Sequence, residues 1–137
     1  MKGKKGTIVV MVILIMAVTV LYYLQNGRTM QVYNSISTTS ANAHQEQLTV
    51  VANKLYVTDE MACAEEIIKK CRENDFGNVL FSYDFSIPTE LHATVYLSEH
   101  DVKKGSPAFT LNYTQDSENA MPYNIVDNPQ EFKLTIE

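Results

Sequence analysis

The eighteen residues Thr7 to Leu24, TIVVMVILIMAVTVLYYL, hold no charged side chain and follow a short basic start, MKGKKG. As a helix, such a run rises about 27 Å, close to the roughly 30 Å hydrocarbon thickness of a bilayer. A chain of 137 residues that spends its first two dozen this way has room for one further small domain. Residues 1–6 are therefore read as a basic cytoplasmic N-terminus and 7–24 as a single-pass signal-anchor helix in contact with the lipid bilayer. Residues 25–46 then read as a polar tether and 47–137 as an acidic domain outside the membrane. The sidedness comes from charge: Lys2, Lys4 and Lys5 all precede the run and only Arg28 stands close behind it, which favours keeping the N-terminus in the cytoplasm. Tyr22 and Tyr23 fall where an aromatic belt is expected.

Two other fates of this segment have their own sequence marks. A cleavable signal peptide has an apolar core of about 7 to 15 residues followed closely by a small-x-small site. The composition suits cleavage only at Ala41 to Ala43, ANA, 17 residues beyond Leu24. Cutting there would release a secreted soluble domain beginning at His44, and the length of the core favours the retained anchor instead. The KKG before the apolar run resembles the basic leader, ending in glycine, of type IV prepilins. That resemblance implies a pilin-like or pseudopilin subunit processed after Gly6 and assembled through its hydrophobic helix. The family carries a glutamate five residues after the cleavage point, and Met11 stands at that position here.

Beyond Leu24, eight Lys and Arg share the chain with all 16 Asp and Glu, a net charge of −8. A domain so acidic is repelled by phosphate backbones, so nucleic acid is excluded as a partner.

The segment Gln25 to Glu46 is rich in Ser, Thr, Asn and Gln and poor in large apolar residues, which is the composition of a tether. Leu48 to Val57 is β-branched enough for a first strand, with a bulge expected near Asn53 and Lys54. A helix follows, with Thr58 or Asp59 as its cap, Lys69, Lys70 and Arg72 near its negative end, and Met61, Ala64, Ile67, Ile68 and Cys71 as its core stripe. Asn78 to Asp84 reads as a short central strand. Leu91, Ala93, Val95 and Leu97 alternate with Glu90, His92, Thr94, Tyr96 and Ser98. Phe109, Leu111 and Tyr113, and then Phe132, Leu134 and Ile136, mark two more half-buried strands on either side of a long polar connection, Gln115 to Gln130. The expected fold class is α+β, two-layered: one helix on a mixed, mostly antiparallel sheet of about five strands in the order β-α-β-β-β-β. A right-handed parallel crossover opens it and an antiparallel meander closes it.

Signatures of chemistry are sparse. Cys63 and Cys71 stand about 12 Å apart along the predicted helix, too far to bridge each other, and read as small buried hydrophobes. His44, His92 and His100 show no metal-ligand spacing, no phosphate-binding glycine loop or Gly-x-Ser-x-Gly elbow occurs, and no cofactor is expected. The sequon Asn112-Tyr113-Thr114 falls inside a predicted strand. An acid–base pairing of His92 with Tyr96 is conceivable on geometry alone, yet a polar strand face produces such neighbours by default. The candidate site is the sheet face carrying Glu90, His92, Thr94 and Tyr96, as a surface for a protein or glycan partner. A non-enzymatic, membrane-anchored interaction or accessory module of a bacterial cell envelope is the expected role, and an apolar second sheet face would point to a homo-oligomer.

Overall fold

The computed structural model describes residues 2–40, 43–115 and 123–137. Two of the three residues of the candidate cleavage site, Ala41 and Asn42, lie outside them, as do residues 116–122 of the expected polar connection. The apolar run forms helix α1, Lys2–Tyr22, which passes into a π turn over Tyr23–Gly27. Gly27 is required at that turn, because a Cβ there would sit 2.6 Å from Cδ2 of the Tyr23 ring. The span Gly3–Gly27 is long and apolar enough to cross a membrane, and none of its apolar window is buried against the rest of the chain.

The domain is a five-stranded mixed sheet with helices, an α+β fold. Its strands are β1 (Gln31–Ser40), β2 (Ala43–Val51), β3 (Glu90–Tyr96), β4 (Phe109–Gln115) and β5 (Phe132–Ile136), lying side by side in chain order. Helix α2, Glu60–Glu73, connects β2 to β3, which run parallel; all other neighbours are antiparallel. A helical crossover between parallel strands and an antiparallel close thus match expectation, although the crossover leads to Glu90–Tyr96 rather than to Asn78 to Asp84, and the expected order of elements does not hold. A strand precedes the crossover: residues 31–40, expected within the tether, form β1, and β2 begins at Ala43 instead of Leu48. Beyond Val51 the chain turns away through Asn53 at φ 55°, so Lys54 to Val57 are loop. The bulge lies in β1 instead, where the pairing slips between Val32 and Asn34. Asn78 to Asp84 is no strand but part of an irregular connection between α2 and β3.

Helix α2 follows its sequence marks closely. Asp59 is the N-cap, its carboxylate accepting from the Ala62 N–H at 3.0 Å, and Asn74 closes the other end in the left-handed conformation. The buried stripe is Cys63, Ala64, Ile67, Ile68 and Cys71, with Met61 turned outward. It packs against the face of the sheet carrying Leu48, Val50, Leu91, Ala93, Val95 and Leu111. Met30 and Val32, from the stretch just before and inside β1, belong to the same core. A short helix α3, Glu99–Lys104, capped by Ser98, turns the chain between β3 and β4.

The connection between helix α1 and the sheet is ordered by hydrogen bonds to the loop that follows β2. Gln25 Oε1 accepts from the N–H groups of Leu55 (2.8 Å) and Tyr56 (3.2 Å), while its Nε2 donates to the Tyr56 carbonyl at 2.9 Å. Lys54 Nζ donates to the Gln25 carbonyl and Asn53 Nδ2 to that of Thr29. The start of the expected tether is therefore a hydrogen-bonded junction and its middle is an edge strand.

Candidate functional site

Strand alternation splits the polar side chains of the sheet between two faces, and each face carries a histidine two residues from a glutamate. On β3 the pair is Glu90 and His92, on the face away from α2. His92 stands directly opposite Asn112 of β4, and the cross-strand distance brings His92 Nδ1 within 2.5 Å of Asn112 Oδ1. His92 Nε2 lies 2.6 Å from Glu90 Oε1. Both ring nitrogens are thus engaged by oxygen, an arrangement satisfied by an imidazolium or by an Asn112 amide turned to present its NH₂. Around the histidine, Asn34, Gln47, Thr94, Thr110 and Asn112 help to line a shallow depression of about 440 Å³.

Of the four residues expected on this face, His92 and Thr94 line the depression and Glu90 orients His92. Tyr96, at the end of β3, lies outside the lining. Four residues of extended chain separate it from His92, roughly 13 Å, so the two do not form an acid–base pair. The face is polar rather than apolar along β2 to β4, with Ile36 as an exposed apolar contribution from β1.

The second pair, His44 and Glu46 on β2, points to the opposite face, beyond the part of the sheet that α2 covers. Neither was singled out from the sequence as a site residue. Their cross-strand partners in β1 are Thr39 and Ser37. Ser37 donates to Glu46 Oε2 at 2.5 Å, and His44 Nε2 reaches the same oxygen at 3.1 Å. On the other side of the ring, Nδ1 lies 2.9 Å from Ser86 Oγ. Ser86 arrives from the α2–β3 connection, which is pinned to β2 by the Thr89 N–H on the His44 carbonyl at 2.8 Å. A neutral ring satisfies the network with Ser86 O–H donating to Nδ1 and Nε2–H and Ser37 O–H both donating to Oε2, and an imidazolium satisfies it with Nδ1–H donating to Ser86 Oγ and Nε2–H to Oε2.

Glu46 is the buried charged residue of the described chain, at 4 % exposure. Among the described residues, no buried side-chain N or O is left without a partner. Glu46 lines a cleft of about 480 Å³ between β1, β2 and residues 80–86, together with Ser37, His44, Phe81, Tyr83, Phe85 and Ser86 among others. The lip carries Leu80 and Phe85, 81 % and 95 % exposed, the most exposed large apolar side chains in the described chain. Burial first, and then the Glu46 charge, push the Cys71 thiol well above its ordinary value. Tyr83, whose hydroxyl donates to the Cys71 carbonyl, is raised by burial and by charge at Cys71 and Glu46.

Ser86, His44 and Glu46 stand in the order nucleophile, base, acid. Acyl transfer also needs N–H donors aimed at a developing oxyanion. The N–H groups of Phe85 and Ser86 both donate to the Ser82 carbonyl and are committed to their turn. Among the described residues no group of three or more metal-ligating side chains converges.

No protein-family model matches the chain, and comparisons with curated proteins and with solved structures return no similar protein. The geometry of the two sheet faces is therefore what bears on function.

Proposed function

We propose that the protein is a single-pass membrane protein whose acidic α+β domain works outside the cytoplasmic membrane of a bacterial cell as a non-enzymatic interaction or accessory module. Helix α1 is the retained anchor, with Lys4 and Lys5 on the cytoplasmic side and the acidic domain outside, as the positive flank favours. The partner surface is the uncovered sheet face around His92 and Thr94, which offers amides, hydroxyls and an imidazole to a protein or glycan.

One observation carries the reading: the chain that leaves the apolar helix is part of the domain. Gln25 is bonded to Leu55 and Tyr56, Met30 and Val32 lie in the core, and β1 pairs with β2 along its length. Removal of everything before His44 would strip the edge strand and two core side chains, which argues against a secreted form cut at that point. The same junction supports a domain held close against the membrane rather than one swinging on a tether.

Intact mass and N-terminal sequence of the protein recovered from membranes test the anchor. Met1 retained is the expected result; a start at Thr7 would establish the pilin-like fate, and a start at His44 the secreted one. The surface is tested by cross-linking in cells with wild type and with a His92→Ala, Thr94→Ala double variant. Loss of a cross-linked partner with unchanged folding is expected, and an unchanged cross-linking pattern would sink the assignment of this face.

A further inference from the structure

We infer that the loop after β2, through Leu55 and Tyr56, is a second point of contact with the bilayer, seated in the headgroup layer beside the outer end of helix α1. The partner is the phospholipid interface itself. This rests on the reading of α1 as a retained anchor and goes beyond it, since an anchor alone leaves the attitude of the domain free.

The argument begins with depth. Leu24 is the last residue of the apolar run and Gln25 follows it, about 1.5 Å further along a helix. The run rises about 27 Å against a hydrocarbon layer of roughly 30 Å, so no surplus length carries Gln25 clear of the lipid. The headgroup layer beyond is about 5 to 7 Å thick on each side. Gln25 Oε1 accepts the Leu55 N–H at 2.8 Å and the Tyr56 N–H at 3.2 Å, and its Nε2 donates to the Tyr56 carbonyl at 2.9 Å. The peptide groups of Leu55 and Tyr56 are thereby held within one side chain's reach of the helix exit, which puts them in that layer.

The side chains suit this depth. Leu55 and Tyr56 are 42 % and 55 % exposed, whereas Val57, next in the chain, packs against the core. Tyr56 shares a cleft of about 270 Å³ with Gln25 and Asn26, so its side chain stands beside the helix end. With the exposed Tyr22 and Tyr23, it makes a third tyrosine at the level where amphipathic rings concentrate. The backbone is also prepared for low polarity. Lys54 Nζ donates to the Gln25 carbonyl at 3.1 Å and Arg28 Nη2 to the Leu24 carbonyl at 2.7 Å. Two carbonyls that the end of a helix leaves open thus have donors from the chain itself, as backbone at the edge of lipid requires. Helix and loop together prevent the domain from tipping about the helix exit, and the sheet faces keep a set attitude to the membrane.

The chain holds no tryptophan, so a single one introduced at a chosen position reports its own surroundings. The full chain is placed in nanodiscs of phosphatidylcholine with and without bromine on the upper part of the acyl chains, which quenches indole emission on near contact. Tyr22→Trp reports the anchor, Tyr56→Trp the loop, and Phe85→Trp an exposed ring on the connection between α2 and β3. Tyr22→Trp and Tyr56→Trp should lose emission in brominated lipid and shift to the blue, and Phe85→Trp should do neither. Leu55→Asp added to Tyr56→Trp should restore emission, because a carboxylate resists insertion, and added to Tyr22→Trp it should change nothing. Leu55 and Tyr56 are exposed, so the fold survives these changes.

Quenching of Tyr22→Trp without quenching of Tyr56→Trp would overturn the proposal and leave the anchor standing. An unquenched Tyr22→Trp would remove the anchor and the proposal with it. Quenching of Phe85→Trp equal to that of Tyr56→Trp would mean that the domain lies on the lipid at large, and undiminished quenching after Leu55→Asp would mean that the introduced indole inserts by itself. Either result would reject the loop as the contact.

Discussion

Gln25 grips Tyr56 by both of its backbone polar groups: Oε1 accepts from the Tyr56 N–H at 3.2 Å and Nε2 donates to the Tyr56 carbonyl at 2.9 Å. The same Oε1 also takes the Leu55 N–H at 2.8 Å. One side chain at the exit of the apolar helix thereby substitutes for a strand partner in the loop after β2. Gln25→Ala should free these groups at a cost of about 1 kcal/mol, the net worth of such bonds near solvent. Hydrogen exchange at the Leu55 and Tyr56 amides checks it: protection should fall there first, with β3 and β4 unchanged. Uniform exchange in wild type and variant would show that the junction does not hold the loop.

Asp59 caps α2 through the Ala62 N–H, and the positive helix start favours its charge. Replacement by alanine should lower stability by about 1 kcal/mol, and replacement by serine or asparagine should restore most of it. Denaturant titration of the three variants distinguishes a cap from a surface carboxylate, for which all three would be alike.

Alkaline pH should destabilise the domain. The Cys71 thiol and the Tyr83 phenol are both held above their ordinary values of 9.0 and 10.0, by burial first and by neighbouring negative charge second. A group raised in the folded state keeps its proton while the unfolded chain loses its own. Stability from these groups is therefore fully present below pH about 9 and declines as pH rises beyond it, by up to about 1.4 kcal/mol per pH unit for the buried thiol. Urea midpoints from pH 7 to 11 should trace that decline, and Cys71→Ala should flatten it. A midpoint independent of pH over this range would contradict the burial of both groups.

Ile125 shows that regular structure and core are not the same set. It lies in the irregular stretch before β5, yet it is fully buried, and its carbonyl accepts from Arg72 Nε at 2.9 Å while its N–H donates to the buried Pro88 carbonyl at 3.1 Å. Ile125→Ala should cost as much as a truncation in a central strand, about 2 to 5 kcal/mol, measured by thermal or urea unfolding. A loss below 0.5 kcal/mol, typical of a surface loop, would be inconsistent with this packing.

Local pattern was enough for some elements and not for others. The apolar span and helix α2 were legible because charge exclusion, the Asp59 cap and the spacing of Ala64, Ile67, Ile68 and Cys71 are properties of short windows. The strands around Leu91, Ala93 and Val95, around Leu111 and Tyr113, and around Leu134 and Ile136 were legible for the same reason: one buried face imposes a period of two. Glu90, His92 and Thr94 fell on the expected open face as a consequence.

Strand β1 was not legible. Its sequence, QVYNSISTTS, has one buried side chain, Val32, and is extended because nine residue pairs join it to β2. An edge strand exposed on both sides leaves no apolar alternation to read. The reverse holds for Asn78 to Asp84, where an apolar run looked like a central strand; there the tertiary structure uses Phe81 and Tyr83 as cleft walls.

By itself, then, the sequence determined an apolar helix long enough to span a bilayer, an acidic α+β domain and the polar character of one sheet face. Only the tertiary structure decided that the segment after the helix belongs to the domain, and that Ser37, His44, Glu46 and Ser86 meet. The reason is physical: helix and strand periodicities act over a few residues, whereas strand pairing and the buried Glu46 network depend on contacts between residues up to 45 positions apart.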